Sequence, residues 1–332
     1  MAAGCLSSPE PRPLPDDWLR VEDGRIRHAD GSPFHGRGAA IPDTRGCNAC
    51  TFNAPRPEEV ERRLDLLIDG WGATFVRLMM ESYAEPDGRV NYQSVLDDPD
   101  YLADLERIVA YIGNKPGVYV ALTMWIDPSL DANYWPSEET RQIWALLAQR
   151  FANDARVLFS LSAAPETNLD GSQDAALWAE LDATVAAIRA AEQAAGGPPH
   201  VVLVPGMGMP GGSALDYYID HPITADGGRQ IAYAVSVGDP PSAFPEVFIG
   251  PAASLPVVIG MFGPNAGMTE ADADAMMLAA EDNDIPWLAI WFHMRCPPNL
   301  LIDNSSASCG VDMALEPTPW GEQIIAALAR SW

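Results

Sequence analysis

Positive charge is scarce in this chain. Lys115 is its only lysine, and 20 lysine and arginine residues face 46 aspartate and glutamate residues, for a formal net charge of −26. A surface of that sign repels the phosphate backbone, so the composition excludes nucleic acid as a partner. We interpret the excess acid as a solubilising surface rather than as a specific cation site.

Signatures of several other protein classes are also missing. No apolar run reaches the length of a membrane span, and no repeat of fixed period or Gly/Ser/Pro-rich linker divides the chain. No G-x-G-x-x-G pattern follows the first predicted strand, and no G-x-S-x-G elbow occurs, so neither a dinucleotide fold nor Ser-His-Asp catalysis has support. We predict one domain, 18–332, after a disordered Pro-rich tether at 1–17.

Apolar runs alternate with amphipathic segments from residue 34 onward. Continuous apolar strands between helices indicate a parallel sheet covered on both faces. Eight such units predict an α/β fold, a single (β/α)8 TIM barrel, with a doubly wound open sheet as the alternative. Turn signals at 23–24 and 30–31 predict a short N-terminal β-hairpin below the barrel. The predicted strands are 34–41, 74–80, 118–124, 157–162, 200–204, 231–235, 256–261 and 287–293. The predicted helices are 56–70, 100–115, 137–153, 172–196, 269–283 and 319–329.

Short motifs within these elements carry a family pattern. Segment 70–78 reads GWGATFVRL, segment 116–120 reads PGVYV, and segment 317–321 reads PTPWG. Together with DGSP at 30–33 and the eighth strand, they make the chain from residue 18 onward resemble the cellulases and mannanases of glycoside hydrolase family five. The resemblance implies catalytic glutamates at the ends of the fourth and seventh barrel strands, and a carbohydrate ligand.

Both glutamate positions of that pattern hold other residues. Where the family has Asn-Glu-Pro after the fourth strand, this chain has Ala-Ala-Pro at 163–165, and where the family has Ile-Gly-Glu-Phe-Gly it has IGMFG at 259–263. Ala164 and Met261 therefore stand for the glutamates. Retaining hydrolysis needs two carboxyl groups about 5–5.5 Å apart. The resemblance thus implies the fold of the family without its activity.

The rest of the expected site is mostly apolar. Arg77 and Trp291 match the family, while Trp125 and Ser236 stand near its histidine positions. We predict a pocket walled by Trp125, Met207, Met261 and Trp291, with Arg77 as its chief buried charge. An unpaired buried arginine is costly, so Arg77 is expected to have a carboxylate or carbonyl partner, and Glu81 and Asp239 are the nearest acids in strand order. His293 is the one histidine expected near the pocket. Methionines near the strand ends also suggest an apolar barrel opening or, less favoured, a site for a soft metal ion. They are Met79, Met80, Met124, Met207, Met209, Met261 and Met294.

Acids near the strand ends are the possible substitutes for the missing glutamates. Glu166, two residues beyond Ala164, leads this group, and Glu81, Asp127 and Asp239 follow. Loop acids that simply face solvent are the commoner explanation in so acidic a chain.

Four cysteines follow the first and eighth strands, which neighbour each other in a closed barrel. Cys47 and Cys50 alone suggest zinc or a redox pair, but Cys296 and Cys309 do not form a second close pair as a zinc site would. We predict disulfides Cys296–Cys309 and Cys47–Cys50 in an exported chain. The segment 2–5, AAGC, resembles the end of a lipoprotein signal, with Cys5 as the acylated residue.

These patterns predict an exported, non-catalytic binding barrel for a carbohydrate or small apolar ligand. We expect a monomer, in the periplasm, on the cell surface or secreted, with no cofactor, metal or transmembrane segment. An active hydrolase with relocated acids, Glu166 first among them, is the alternative.

Overall fold

Eight parallel strands close into a barrel in the computed structural model. The structure describes residues 14–45, 56–81, 93–125, 135–162, 170–208, 214–265, 267–303 and 311–332. Successive strands are neighbours, and the last strand, β10, pairs with the first barrel strand, β3. This sequential closed order confirms the predicted (β/α)8 barrel and excludes the open sheet. The strands are β3 (Arg37–Pro42), β4 (Phe75–Met80), β5 (Tyr119–Met124), β6 (Val157–Ser160), β7 (Val202–Pro205), β8 (Ile231–Val237), β9 (Val257–Phe262) and β10 (Trp287–Ala289).

Helices cover the outside of this barrel. Local signals in the sequence set several of their starts: Asp98 caps the helix that begins at Pro99, and Ser137 and Thr269 form capping boxes with Thr140 and Asp272. The helices are α1 (Pro57–Asp65), α2 (Pro99–Gly113), α3 (Glu138–Arg150), α4 (Asp174–Ala195), α5 (Asp216–Asp220), α6 (Glu270–Glu281) and α7 (Pro319–Leu328). A π-helical turn, Leu66–Gly70, extends α1. No helix in the described ranges is long and apolar enough to cross a membrane.

The predicted hairpin is present and closes the amino-terminal end of the barrel. Strands β1 (Arg20–Glu22) and β2 (Arg25–Arg27) pair antiparallel. The hairpin side chains Leu19 and Ile26, together with Phe34, pack against inward-facing barrel residues such as Phe75 and Tyr119. Gln230, at the start of β8, holds the hairpin through bonds to the backbone of Leu19 and Val21 at 2.7 and 2.8 Å.

Two predicted strand ends need correction, and several short helical elements were not predicted. The eighth strand ends at Ala289 rather than 293, because the backbone of Trp291 bonds to its own loop at Pro298 and Leu300. The fourth strand ends at Ser160 rather than 162 in its ladder to β7. Helix α5 and the short helical turns between 225 and 253 were not predicted, because they are too short to show a helical period.

Candidate functional site

The carboxyl ends of the barrel strands converge on an apolar cluster. The indole rings of Trp125, after β5, and Trp291, after β10, lie nearly parallel at 8° with centroids 5.8 Å apart. Both are half-buried, as is Met261 at the end of β9. These three side chains pack on a buried patch formed by Ala40, Met79 and Ile290. The structure thus brings together three of the four predicted pocket walls, at the end of the barrel where enzymes of this fold hold their sites.

Backbone hydrogen bonds fix the two tryptophans. The Trp125 amide donates to the Met80 carbonyl at 3.0 Å, which extends the β4–β5 ladder by one residue. The Trp291 amide donates to the Pro298 carbonyl at 2.8 Å, and the Trp291 carbonyl accepts from the Leu300 amide at 2.9 Å. The backbone of Trp125 is therefore held by the β4–β5 ladder, and that of Trp291 by hydrogen bonds within its own loop.

Beneath this cluster lies a buried guanidinium. Arg77 on β4 is 2% exposed. Its Nε donates to Thr123 Oγ1 at 3.0 Å, its Nη1 to the Gly260 carbonyl at 2.7 Å, and its Nη2 to the Ser162 carbonyl at 3.4 Å. Burial lowers the pKa of Arg77 to about 10, so the group remains cationic at neutral pH. Of the two predicted kinds of partner, the structure shows the carbonyl: Gly260 and Ser162 contact Arg77, whereas the suggested acids Glu81 and Asp239 do not.

An irregularity in β9 shapes the site beside Arg77. Val235 on β8 pairs with Ile259, but the next residue, Ser236, pairs with Met261, so Gly260 is the extra residue of a bulge. A side chain on Gly260 would come within 3.2 Å of the Ala234 Cβ. Glycine thus lets the strand pass close to β8 while its carbonyl reaches Arg77. Ser236 is half-buried and lies opposite Met261 in this register.

Glu81 belongs to a separate buried network rather than to the pocket. It follows β4 with φ of 58°, which breaks the inward–outward alternation of the strand. Its Oε2 lies 3.2 Å from Arg45 Nη1, its Oε1 accepts from the Val95 amide at 2.8 Å, and its own amide donates to the Tyr101 hydroxyl at 2.8 Å. With its carboxylate held there, Glu81 is not a substitute catalytic acid at the centre of the barrel.

Asp43 and Arg45, after β3, complete this network. The Tyr101 hydroxyl donates to Asp43, and the guanidinium of Arg45 lies 3.4 Å from the centroid of the Tyr101 ring. Arg45 Nη2 also donates to the Gln93 carbonyl. Arg45 forms its ion pair with Glu81, and its charge also acts on Asp43, whose Oδ1 accepts from the Arg45 amide at 2.8 Å. Burial raises the pKa of Glu81 to about 7 and raises that of Asp43, despite the opposing effects of Arg45 and the hydrogen bonds.

The raised pKa of Glu81 predicts a pH-dependent stability. An acid whose pKa rises from 4.5 to about 7 on folding stabilises the fold below pH 4.5, and that contribution is lost as pH rises to 7. The shift corresponds to about 3 kcal/mol. Glu81→Gln imitates the protonated acid and does not titrate, so the variant should keep the stability that the unaltered protein loses as the pH rises. The difference in unfolding free energy, variant minus unaltered protein, should therefore grow by about 3 kcal/mol between pH 4.5 and 8. Urea titrations across this range measure it, and a difference that stays constant with pH contradicts it.

Several predicted site residues lie elsewhere or outside the described residues. Met207 is buried among the side chains between barrel and helices, not beside Trp291. His293 is 1% exposed, its Nδ1 accepts from the Arg295 amide at 2.9 Å, and burial lowers its pKa to about 3. It is therefore a buried neutral histidine, not a ligand-facing one. The residues outside the described ranges are Cys5, Cys47, Cys50, Asp127, Ala164, Glu166, Met209 and Cys309.

The described methionines do not converge on one point. Met79 and Met261 join the apolar cluster, whereas Met80, Met124, Met207 and Met294 pack in the outer layer between strands and helices. Within the described ranges, no group of three or more His, Cys, Asp or Glu side chains is placed to hold a metal ion. Because the described methionines are divided between these two layers, their placement favours an apolar mouth over a site of converging methionine sulfurs.

Comparisons with known proteins agree with this geometry. The family model described as cellulase, glycosyl hydrolase family 5, matches residues 29–235. A search of curated protein sequences finds no match. Among solved structures, the catalytic domain of a Thermobifida fusca endoglucanase superposes with a TM-score of 0.71 at 17% identity, covering 94% of this chain and 97% of its own.

Two further structures carry sugars. A β-glucanase from Saccharophagus degradans in complex with cellotetraose has a TM-score of 0.67 at 18% identity, covering 97% of both chains. A mannotriose complex of a Thermomonospora fusca β-mannanase has a TM-score of 0.66 at 17% identity, covering 93% of this chain and 94% of its own. At such identities the likeness establishes the shared barrel.

Proposed function

This chain belongs to the cellulase family of glycosyl hydrolases, family 5, and we propose that it is a non-catalytic member which binds a carbohydrate at the carboxyl ends of its barrel strands. The observation that carries the proposal is the stacked pair Trp125 and Trp291, half-buried beside Met261. Aromatic faces offer large apolar area with little conformational entropy to lose, which suits the apolar faces of sugar rings.

The missing acids argue against hydrolysis. In the family pattern, Ala164 and Met261 hold the positions of the two catalytic glutamates. A methyl group cannot protonate a leaving oxygen, and a thioether in an apolar cluster cannot take the role of the carboxylate nucleophile. Arg77, next to this position, contacts only neutral oxygens in the described part of the chain. A binding role uses the aromatic surface and needs none of the lost groups.

Export and the cysteine pairs form part of the same proposal. An exported chain, whether periplasmic, secreted or attached through Cys5, would meet carbohydrate outside the cytoplasm. It would also favour the predicted pairs Cys296–Cys309 and Cys47–Cys50. Cys296 lies after β10 in the described part of the chain, and its predicted partner does not.

Calorimetry with cellotetraose and mannotriose tests the binding proposal. We expect Trp291→Ala to weaken binding about tenfold or more, because it removes one indole from the stacked pair, whereas Trp291→Phe should retain most of the affinity. Glu166→Ala should leave the affinity unchanged. Binding that depends on Glu166 and ignores Trp291 would replace the binding proposal with the alternative of an enzyme whose acid has moved.

A further inference from the structure

The buried charge of Arg77 has no counter-charge among the described residues. Its three contacts are a hydroxyl and two carbonyls, and no carboxylate of the described chain lies within ion-pair distance. The contrast with the other deeply buried arginines is sharp: Arg45 pairs with Glu81, and Arg63 pairs with Glu59 at 2.9 Å. Arg77 thus differs from these two arginines, because its contacts in the described part of the chain are neutral oxygens and not a carboxylate.

The hydrogen bonds of Arg77 are also incomplete. A guanidinium carries five N–H groups. The three acceptors Thr123, Gly260 and Ser162 leave two of them without an acceptor in the described part of the chain, and the Nη2 contact to Ser162 is long at 3.4 Å. An arginine fork binds a carboxylate through paired N–H groups, and such a charge-assisted pair is stronger than bonds to neutral oxygens.

We propose that the ligand of this barrel carries a carboxylate, as a uronic acid residue does, and that this carboxylate pairs with Arg77. The proposal rests on the carbohydrate-binding function given above and names the class of sugar. A buried charge without a counter-charge is costly, and an anionic ligand is the group that can remove this cost on binding. Neutral saccharides would leave the cation as it is.

Access to Arg77 runs past an adaptable side chain. Arg77 is 2% exposed, so a carboxylate reaches it only after a neighbouring group moves. Met261 directly follows Gly260, whose carbonyl contacts Arg77, and its unbranched thioether is half-buried. Methionine repacks at low cost. We therefore expect Met261, rather than the backbone-fixed tryptophans, to shift when the ligand binds.

The net charge of the chain limits the ligand further. With a formal charge of −26, the protein repels a polyanion at long range. A short saccharide with a single carboxylate suffers this repulsion least and still gains the contact with Arg77. The net charge therefore favours a mono-uronic oligosaccharide over a polyuronate chain.

Matched pairs of sugars test the proposal on the unaltered protein. The probes are cellotetraose and mannotriose, and the same two sugars oxidised to a carboxylate at C6 of the non-reducing residue, titrated calorimetrically at constant ionic strength. We expect each oxidised sugar to bind at least about tenfold more tightly than its neutral parent. Equal affinities that still depend on Trp291 would overturn the carboxylate proposal and leave carbohydrate binding intact, whereas no binding of any of the four sugars would overturn both.

Two variants and a control locate the effect. Arg77→Met removes the charge with a side chain of similar length, and should abolish the preference for the oxidised sugar. Met261→Glu, which keeps Arg77, supplies a carboxylate from the protein next to Gly260 and should abolish the preference as well. Arg107→Met, which makes the same change of charge on the surface of α2, should keep it. Retention of the preference in Met261→Glu, or in a folded Arg77→Met protein, would contradict the assignment.

Discussion

The unaltered protein is expected to release no reducing sugar from cellulose or mannan and no phenol from aryl glycosides. Under the proposal, Ala164 and Met261 stand where hydrolysis with retention needs an acid and a nucleophile. Loss of general acid–base catalysis alone removes about 10²–10⁴-fold in rate, and loss of the nucleophile removes the covalent intermediate as well. Among the described acids near the strand ends, Glu81 is held in contacts with Arg45 and the Val95 amide.

Restoring the two acids gives this expectation its control. The double variant Ala164→Glu with Met261→Glu should recover a trace of activity on aryl glycosides, while either single variant should not. Robust hydrolysis by the unaltered protein that disappears in Glu166→Gln would contradict the expectation and show that the acid has moved to the loop after β6.

Replacing Arg45 by Met is expected to lower the free energy of unfolding by about 3–5 kcal/mol at pH 8. The change leaves Glu81 without its ion-pair partner and Asp43 without a nearby positive charge, and removes the guanidinium from the face of the Tyr101 ring. Removing one member of a buried pair costs far more than the pair contributes, because the remaining charge stays desolvated.

Arg107→Met is the matched control. Arg107 bonds Glu61 through Nε at 2.8 Å and Glu58 through Nη1 at 2.6 Å, so its contacts are as short as those of Arg45, but its side chain is 45% exposed. Exposed pairs contribute less than about 1 kcal/mol. Urea unfolding of both variants shows whether burial or hydrogen-bond geometry determines the loss of stability. Equal losses of unfolding free energy in the two variants would contradict a dominant effect of burial.

Hydrophobic periodicity was enough to predict the barrel. A strand buried on both faces needs a mostly apolar run, and such a run stands at the eight strands, interrupted by Arg37 in the first and Arg77 in the second. The grouping of Trp125, Met261 and Trp291 also follows from strand order, because the carboxyl ends of parallel strands meet at one end of the barrel.

Side-chain direction was harder to predict where the backbone departs from the strand. Glu81 continues the inward series of β4 in the sequence, but its positive φ turns it to Arg45 and leaves Arg77 with carbonyls. The bulge at Gly260 likewise depends on close contact with β8, which a single strand does not reveal. Met207 lies two residues beyond Pro205, the last residue of β7. Past the end of a strand, the inward–outward alternation of side chains no longer predicts the direction of a side chain.

The hairpin under the barrel sets an order of events during synthesis. Its clasp, Gln230, lies 211 residues after Leu19 and 209 after Val21. At about 5–20 residues per second, a ribosome needs about 10–40 s to make the intervening chain. During that interval the barrel surface against which Leu19, Ile26 and Phe34 pack is incomplete. The earliest part of the domain to be translated is thus among the last to dock, and its apolar side chains depend on the nascent chain remaining soluble until β8 is complete.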